Sequence, residues 1–172
     1  ILKSDKVTSK YFRGVFACDK VQSVCLEKNT DKYFIIVNTH SSKGTGQHWL
    51  LFFIINTTCI LFDSMAKSSS FYGECIQHAF EKISANSNVQ ISSGKRLQSL
   101  DSDLCGIYCI YVARELCRKK SINTIENYFI NDYTRNDKRI KNWFSKYIKK
   151  LFLLNICYKN GQFCCCEKKW NK

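Results

Sequence analysis

The sequence predicts an α+β fold, a central mixed sheet flanked by helices, in one domain spanning residues 1–172. Three observations lead there. Residues 33–38 and 49–55 are β-branched and aromatic runs of strand length. Asn56-Thr57-Thr58 joins the second run to Cys59-Ile60-Leu61-Phe62-Asp63 closely enough for an antiparallel hairpin. Further along, apolar residues recur at helical spacing in residues 71–84, from Cys105 onward, in 122–133 and in 140–154.

In chain order, residues 1–10 are polar and read as a loose lead-in, and 11–16 as a short strand or turn. A helical turn through Val24-Cys25-Leu26 and a polar loop to Lys32 follow. Residues 33–38 are apolar throughout up to Asn38, the pattern of a strand buried on both faces. Thr39 to Gln47, with Gly44 and Gly46, is a loop. His48 opens the first strand of the hairpin and Asp63 ends the second, so antiparallel pairing carries both to one edge. Residues 64–70 are loop, and Phe71, Cys75, Ile76, Ala79, Phe80 and Ile83 make one face of a helix. Asn86-Ser87-Asn88 breaks it before a short strand at Val89-Gln90-Ile91. A polar, turn-prone stretch then runs into Cys105-Gly106, where a helix begins with Ile107, Ile110, Tyr111, Ala113 and Leu116 on its apolar face. That helix ends near Arg118-Lys119-Lys120, where positive charge suits the carboxyl end of the dipole. The tail from Tyr158 is left without assigned structure.

Composition excludes several classes. At 45% hydrophobic and 14% aromatic residues, the chain can build a core, which argues against global disorder. Its longest apolar run, residues 49–55, is too short to cross a bilayer, so no membrane partner is expected. There are 11 cysteines, an odd number at irregular spacing and a poor disulfide framework. With no charged-then-apolar leader, the expected setting is intracellular and reducing, with mostly buried free thiols such as Cys109 and Cys117. Cys75-x2-His78 and the Cys164–Cys166 cluster share no known zinc-ligand spacing, and no metal site is assigned. The net charge is +13, concentrated in a basic helical C-terminal part at residues 119–172. That asymmetry fits a polyanion, either nucleic acid or an acidic protein surface, and equally a solvated helical face. The absence of proline has no physical explanation in the sequence.

The chemistry gathers around Cys105. A thiol at the mouth of a helix meets free backbone N–H groups and the positive end of the dipole, which stabilise a thiolate. A cysteine nucleophile also needs a base, an acid to orient that base, and donors for an oxyanion. Of the three histidines, His40, His48 and His78, only His48 sits at a strand edge beside a carboxylate, Asp63. Gln98, seven residues before Cys105, lies on the loop leading into the helix, where its amide and the Cys105 N–H can make an oxyanion hole. Each piece alone is ordinary turn or core chemistry. The order His-Trp, hairpin, Asp, then Gln-x6-Cys-Gly opening a helix is far more specific.

These motifs, Gly46-Gln47-His48-Trp49, Leu61-Phe62-Asp63-Ser64 and Gln98-x6-Cys105-Gly106-x2-Cys109, resemble the adenovirus proteinase (adenain) group of cysteine proteases. The related ubiquitin-like-protein proteases, including the SUMO-specific ones, share the order. Tyr11-Phe12-Arg13-Gly14…Asp19-Lys20, Ile36-Val37-Asn38-Thr39 and the Gln98-to-Cys105 step are similar to the adenovirus side, whereas Asp63 is as in SUMO proteases. Proteins of this kind are encoded by adeno-like viruses and large virus-like DNA transposons. The resemblance implies a papain-like fold, with Cys105 as nucleophile, His48 as general base, Asp63 as its orienter and Gln98 with the Cys105 N–H as oxyanion hole. It also implies a narrow groove, with Trp49 and Gly106 as substrate-binding residues, that takes glycine before the cleaved bond of a protein substrate. No cofactor is required by such chemistry; DNA serves the adenovirus enzymes as an accessory, and the basic part from Lys119 is compatible with it. No cysteine lies between Cys75 and Cys105, where those enzymes bond an activating peptide; by spacing the place falls near Ser87.

The reading that follows is an endopeptidase maturing viral or transposon structural proteins, acting in the host nucleus or the virion. Two others stand beside it: an isopeptidase removing SUMO-like or ubiquitin-like modifiers, and a basic nucleic-acid-binding protein with a relic triad.

Overall fold

The computed structural model describes residues 1–23, 31–44 and 46–158, with side chains for 1–21, 31–44 and 46–152. The turn expected at Val24-Cys25-Leu26 and the Cys164–Cys166 cluster lie outside the described residues. Five strands form one mixed sheet in the order β1 (Phe12–Ala17), β2 (Lys32–Asn38), β3 (Trp49–Ile55), β4 (Thr58–Phe62) and β5 (Val89–Ser92). The β1–β2 and β4–β5 pairs are parallel, and the two central pairs are antiparallel. This is the α+β architecture that the apolar runs and the hairpin predict.

Strand periodicity of two sorts the sheet into two buried faces. Phe34, Ile36, Leu51, Phe53, Ile60 and Phe62 pack under α2 (Cys105–Cys117) and its neighbours α3 (Ile122–Asn127) and α4 (Tyr133–Tyr158). Ile35, Val37, Leu50, Phe52, Cys59 and Leu61 pack under α1 (Glu74–Ser84) and the short 3-10 turn Cys18–Ser23. The central strands are therefore covered on both sides, as their unbroken apolar composition requires.

Several elements differ from the sequence reading. Residues 71–84 are not one helix: a 3-10 turn, Ser69–Tyr72, comes first, and Gly73 at φ +86°, ψ 175° breaks the chain before α1. That conformation is nearly closed to residues with a Cβ, so apolar spacing alone could not carry a helix through it. The helix expected at 122–133 stops at Asn127, and the one expected at 140–154 begins at Tyr133 and runs to Tyr158. Polar residues decide both ends. Asp132 Oδ1 accepts the Arg135 N–H at 2.9 Å and starts α4. The Asn136 side chain meanwhile accepts from the Ile130 N–H and donates to the Ile130 carbonyl, closing the turn before it.

The first ten residues are not loose. Leu2 joins the core, the Thr8 hydroxyl donates to the Leu2 carbonyl at 2.7 Å, and Asp5 is buried. Arg114 of α2 donates to Asp5 Oδ2 at 2.8 Å, and the Tyr147 hydroxyl of α4 donates to the same oxygen. A hydrophilic segment thus docks through one buried carboxylate, which apolar periodicity does not register.

Candidate active site

The site forms where the N-terminus of α2 meets the edge of the sheet at the start of β3 and the end of β4. The β3–β4 register pairs Leu51 with Phe62, leaving His48 and Asp63 just beyond the paired residues at one edge. His48 Nε2 lies 2.7 Å from Asp63 Oδ1. The other ring nitrogen, Nδ1, is left for Cys105, and each of these two side chains favours the charged form of the other.

Cys105 is the first residue of α2, and Leu104 at the N-cap has no side-chain oxygen to satisfy the first turn. The sulfur therefore sits among backbone donors that favour its ionised form, the Trp49 N–H of β3 and the Gly106 N–H of the first turn of α2. Burial opposes ionisation of the thiol, but His48 and these N–H groups outweigh it and hold Cys105 below the usual thiol range. Burial likewise pulls the His48 imidazole down, yet hydrogen bonds with Asp63 and Cys105 raise it to about 9. The two shifts both favour the charged forms of Cys105 and His48. The other thiol at the site, Cys109, is pushed up by burial; it donates to the Trp49 carbonyl at 3.3 Å and ties α2 to β3.

Asp63 is fully buried and its carboxylate accepts four hydrogen bonds. Oδ1 takes His48 and the Met65 N–H at 2.9 Å, while Oδ2 takes the Lys67 N–H and the Tyr72 hydroxyl, both at 2.8 Å. Burial favours its neutral form, but His48 and the backbone donors win and keep it ionised below the usual carboxylate range. Tyr72 also stacks on His48, with ring centroids 5.4 Å apart and planes 14° apart.

Gln98 is buried on the loop leading to Cys105, held at both ends of its amide. Its Oε1 accepts the Ser64 hydroxyl at 2.6 Å, and Nε2 donates to the Ser102 carbonyl. Because that carbonyl can only accept, the amide orientation is determined, and one N–H of Nε2 stays free. Backbone bonds from Leu97 and Gln98 to the Ser64 carbonyl lay this loop along the end of β4. Ser93 accepts from the Asp63 N–H and donates to the Asp63 carbonyl. From the far side, Asn136 donates to the Leu97 carbonyl at 3.1 Å, and Asp137 accepts from the Ser99 N–H and the Tyr108 hydroxyl.

Trp49 and Gly106 line an apolar cleft of about 460 Å³ next to Cys105 along the chain, with Ile107 and Ile110 of α2 and Val15 of β1. A Cβ on Gly106 would meet Trp49 Cδ1 at 3.4 Å, so the indole lies directly on the first turn of α2.

His48, Asp63 and Cys105 are thus in contact, Gln98 lies on the adjoining loop, and Trp49 and Gly106 share a wall. His40 and His78 stand outside the cluster, and Cys75 instead meets Cys18, with which it shares a hydrogen bond. Sequence reasoning missed Tyr72, Ser64, Ser93, Asn136 and Asp137. A serine directly after Asp63 was a visible hint for Ser64; no spacing rule points to the others.

No protein-family model and no curated protein matches the chain. Among solved structures it is similar to the selenomethionine form of ASFV pS273R protease, at TM-score 0.45 and 17% identity over 73% of this chain and 59% of that one. A second structure of ASFV pS273R protease gives 0.42 and 17% over 67% and 44%. AvrA with IP6 and CoA gives 0.44 and 17% over 63% and 43%. The chain spans less than two thirds of the length of each of these solved proteins.

Proposed function

We propose that the chain is a cysteine endopeptidase of the adenain and SUMO-protease type, cleaving after glycine or another small residue and maturing viral or transposon structural proteins. The observation that carries the reading is the line of side chains from Cys105 through His48 to Asp63, with His48 Nε2 2.7 Å from Asp63 Oδ1, at a helix N-terminus without a side-chain cap.

The Cys105 thiolate attacks the substrate carbonyl carbon, and the negative oxygen is met by the Cys105 N–H and the free N–H of Gln98 Nε2. As the C–N bond breaks, the His48 imidazolium gives its Nδ1 proton to the leaving amine. His48, now neutral, takes a proton from water, whose oxygen attacks the thioester carbon. The acid product leaves, and Cys105 and His48 recover their charges. Asp63 stays ionised throughout and holds the ring. The flat wall made by Trp49 on Gly106 favours a residue without a side chain next to the cleaved bond.

A nucleic-acid accessory belongs to the same reading. Arg118, Lys120, Arg135, Lys138, Arg139 and Lys146 line a cleft of about 700 Å³ on α2, α4 and the adjoining turns, with Glu115 as its acid. Tyr111, Tyr128 and Trp143 give it aromatic surface. Phosphate binding there is expected to weaken steeply with salt.

The test is labelling with a glycine-ended thiol-reactive suicide substrate, read at Cys105 by mass spectrometry, beside hydrolysis of glycine-type peptides. Cys105→Ala should abolish both. A protein that cuts only intact modifier conjugates is the isopeptidase, and one whose Cys105 never labels is not a thiol hydrolase.

A further inference from the structure

Tyr72 belongs to none of the motifs that carry the nucleophile, base, acid or oxyanion donor. Its hydroxyl is nevertheless 2.8 Å from Asp63 Oδ2, and its ring lies nearly parallel to the His48 imidazole. One side chain therefore touches both members of the dyad behind Cys105. On the proposed reading of the site, we propose that Tyr72 is its positioning residue: it fixes the plane of His48 and the orientation of Asp63, so that Nδ1 stays aimed at the sulfur.

The argument rests on degrees of freedom. A carboxylate held on Oδ1 alone can rock about its Cβ–Cγ bond. The Lys67 N–H and the Tyr72 hydroxyl hold Oδ2, and among the described residues Tyr72 is the only side chain that does so. An imidazole tied at Nε2 can still swing about that bond, and a stacked ring on one face resists the swing. Burial and the ionised Asp63 together push the Tyr72 phenol far above its ordinary range, so it remains a donor wherever the pair is ionised.

The backbone is shaped to deliver this contact. Gly73 turns the chain at φ +86° directly after Tyr72, and the Ser69 hydroxyl donates to Gln77 Oε1 of α1 at 2.6 Å, tying the 3-10 turn to the helix. The ionisable groups around the dyad are Cys105, the buried neutral thiol of Cys109 and Tyr72 itself. Lys67 reaches the dyad only through its backbone, its ammonium lying over the Phe71 ring.

Two variants separate the contacts: Tyr72→Phe keeps the ring and drops the donor, and Tyr72→Leu drops both. The first readout is the rate of Cys105 alkylation by iodoacetamide against pH, followed at that residue by mass spectrometry; it needs no knowledge of the substrate. In the wild type the rate should reach its plateau at lower pH than an ordinary thiol does. In Tyr72→Phe the acid limb should move up by about one pH unit, because a mis-set imidazolium stabilises the thiolate less. Tyr72→Leu should move it further. The second readout, hydrolysis of a glycine-type peptide, should show kcat down about tenfold in Tyr72→Phe with KM within about twofold.

A Tyr72→Phe profile that overlays the wild type, with kcat unchanged, would mean that the tyrosine only fills space. A wild type whose Cys105 alkylates as an ordinary thiol would overturn the ion pair itself and the positioning role with it.

Discussion

At the residue scale, the proposed ion pair spans the pH range above the lowered Cys105 value and below the His48 value of about 9. Hydrolysis should therefore rise as Cys105 ionises, hold through neutrality, and fall as pH passes about 9. Asp63→Asn removes the carboxylate that raises His48 while burial, which lowers it, remains. The alkaline limb should then move down, since only Cys105 is left to raise the ring against burial, with kcat down about 100-fold or more. A pH–rate profile of both proteins on one fluorogenic peptide checks this. For stability the sign is the same: His48 is raised on folding, so its contribution is complete below the ordinary histidine value and lost as pH climbs through about 9. His48, Asp63, Gln98 and Cys105 were legible because each is a polar residue at a place where the surrounding pattern changes. Tyr72 was not, since it sits in a 3-10 turn beside a glycine that hides it within a helix-like apolar period.

At the scale of elements, the turns matter more than the helices and strands they join. Gly73 has nothing within 4 Å of an added Cβ, so Gly73→Ala would pay only for its backbone angles. The expected loss is about 1–3 kcal/mol, measured by denaturant unfolding, with Cys105 alkylation slowed because Tyr72 is displaced. Asn136 is fully buried and makes three hydrogen bonds through its amide, one to Leu97 beside Gln98. Asn136→Ala should cost about 2–4 kcal/mol and lower kcat more than it raises KM, since the oxyanion loop loses its far support. The strands and α2 could be read from apolar periodicity because burial on one or both faces dictates it. The break at residues 128–132 could not, because it depends on Asp132 and Asn136 bonding their own turn rather than on any apolar pattern.

For the whole molecule, three segments far apart in sequence meet at Asp5. The Asp5 carboxyl is held below its ordinary range: burial opposes this, but Tyr147, the Val7 N–H and Arg114 outweigh it. Its contribution is therefore present above the ordinary carboxylate value and lost as pH falls through the lowered one. Asp5→Ala leaves Arg114 buried without that partner and should lower unfolding free energy by about 3–5 kcal/mol, read by thermal or urea unfolding. Arg114→Met with Asp5→Leu should recover part of the loss. None of this was legible in the mostly polar first ten residues, since the partners lie 109 and 142 positions away. That separation also sets an order of events during synthesis. By residue 118 a growing chain already carries His48, Asp63, Gln98 and Cys105, yet Asn136, Asp137 and Tyr147 have still to emerge. In a ribosome-bound chain Cys105 therefore emerges before the residues that brace the loop carrying Gln98.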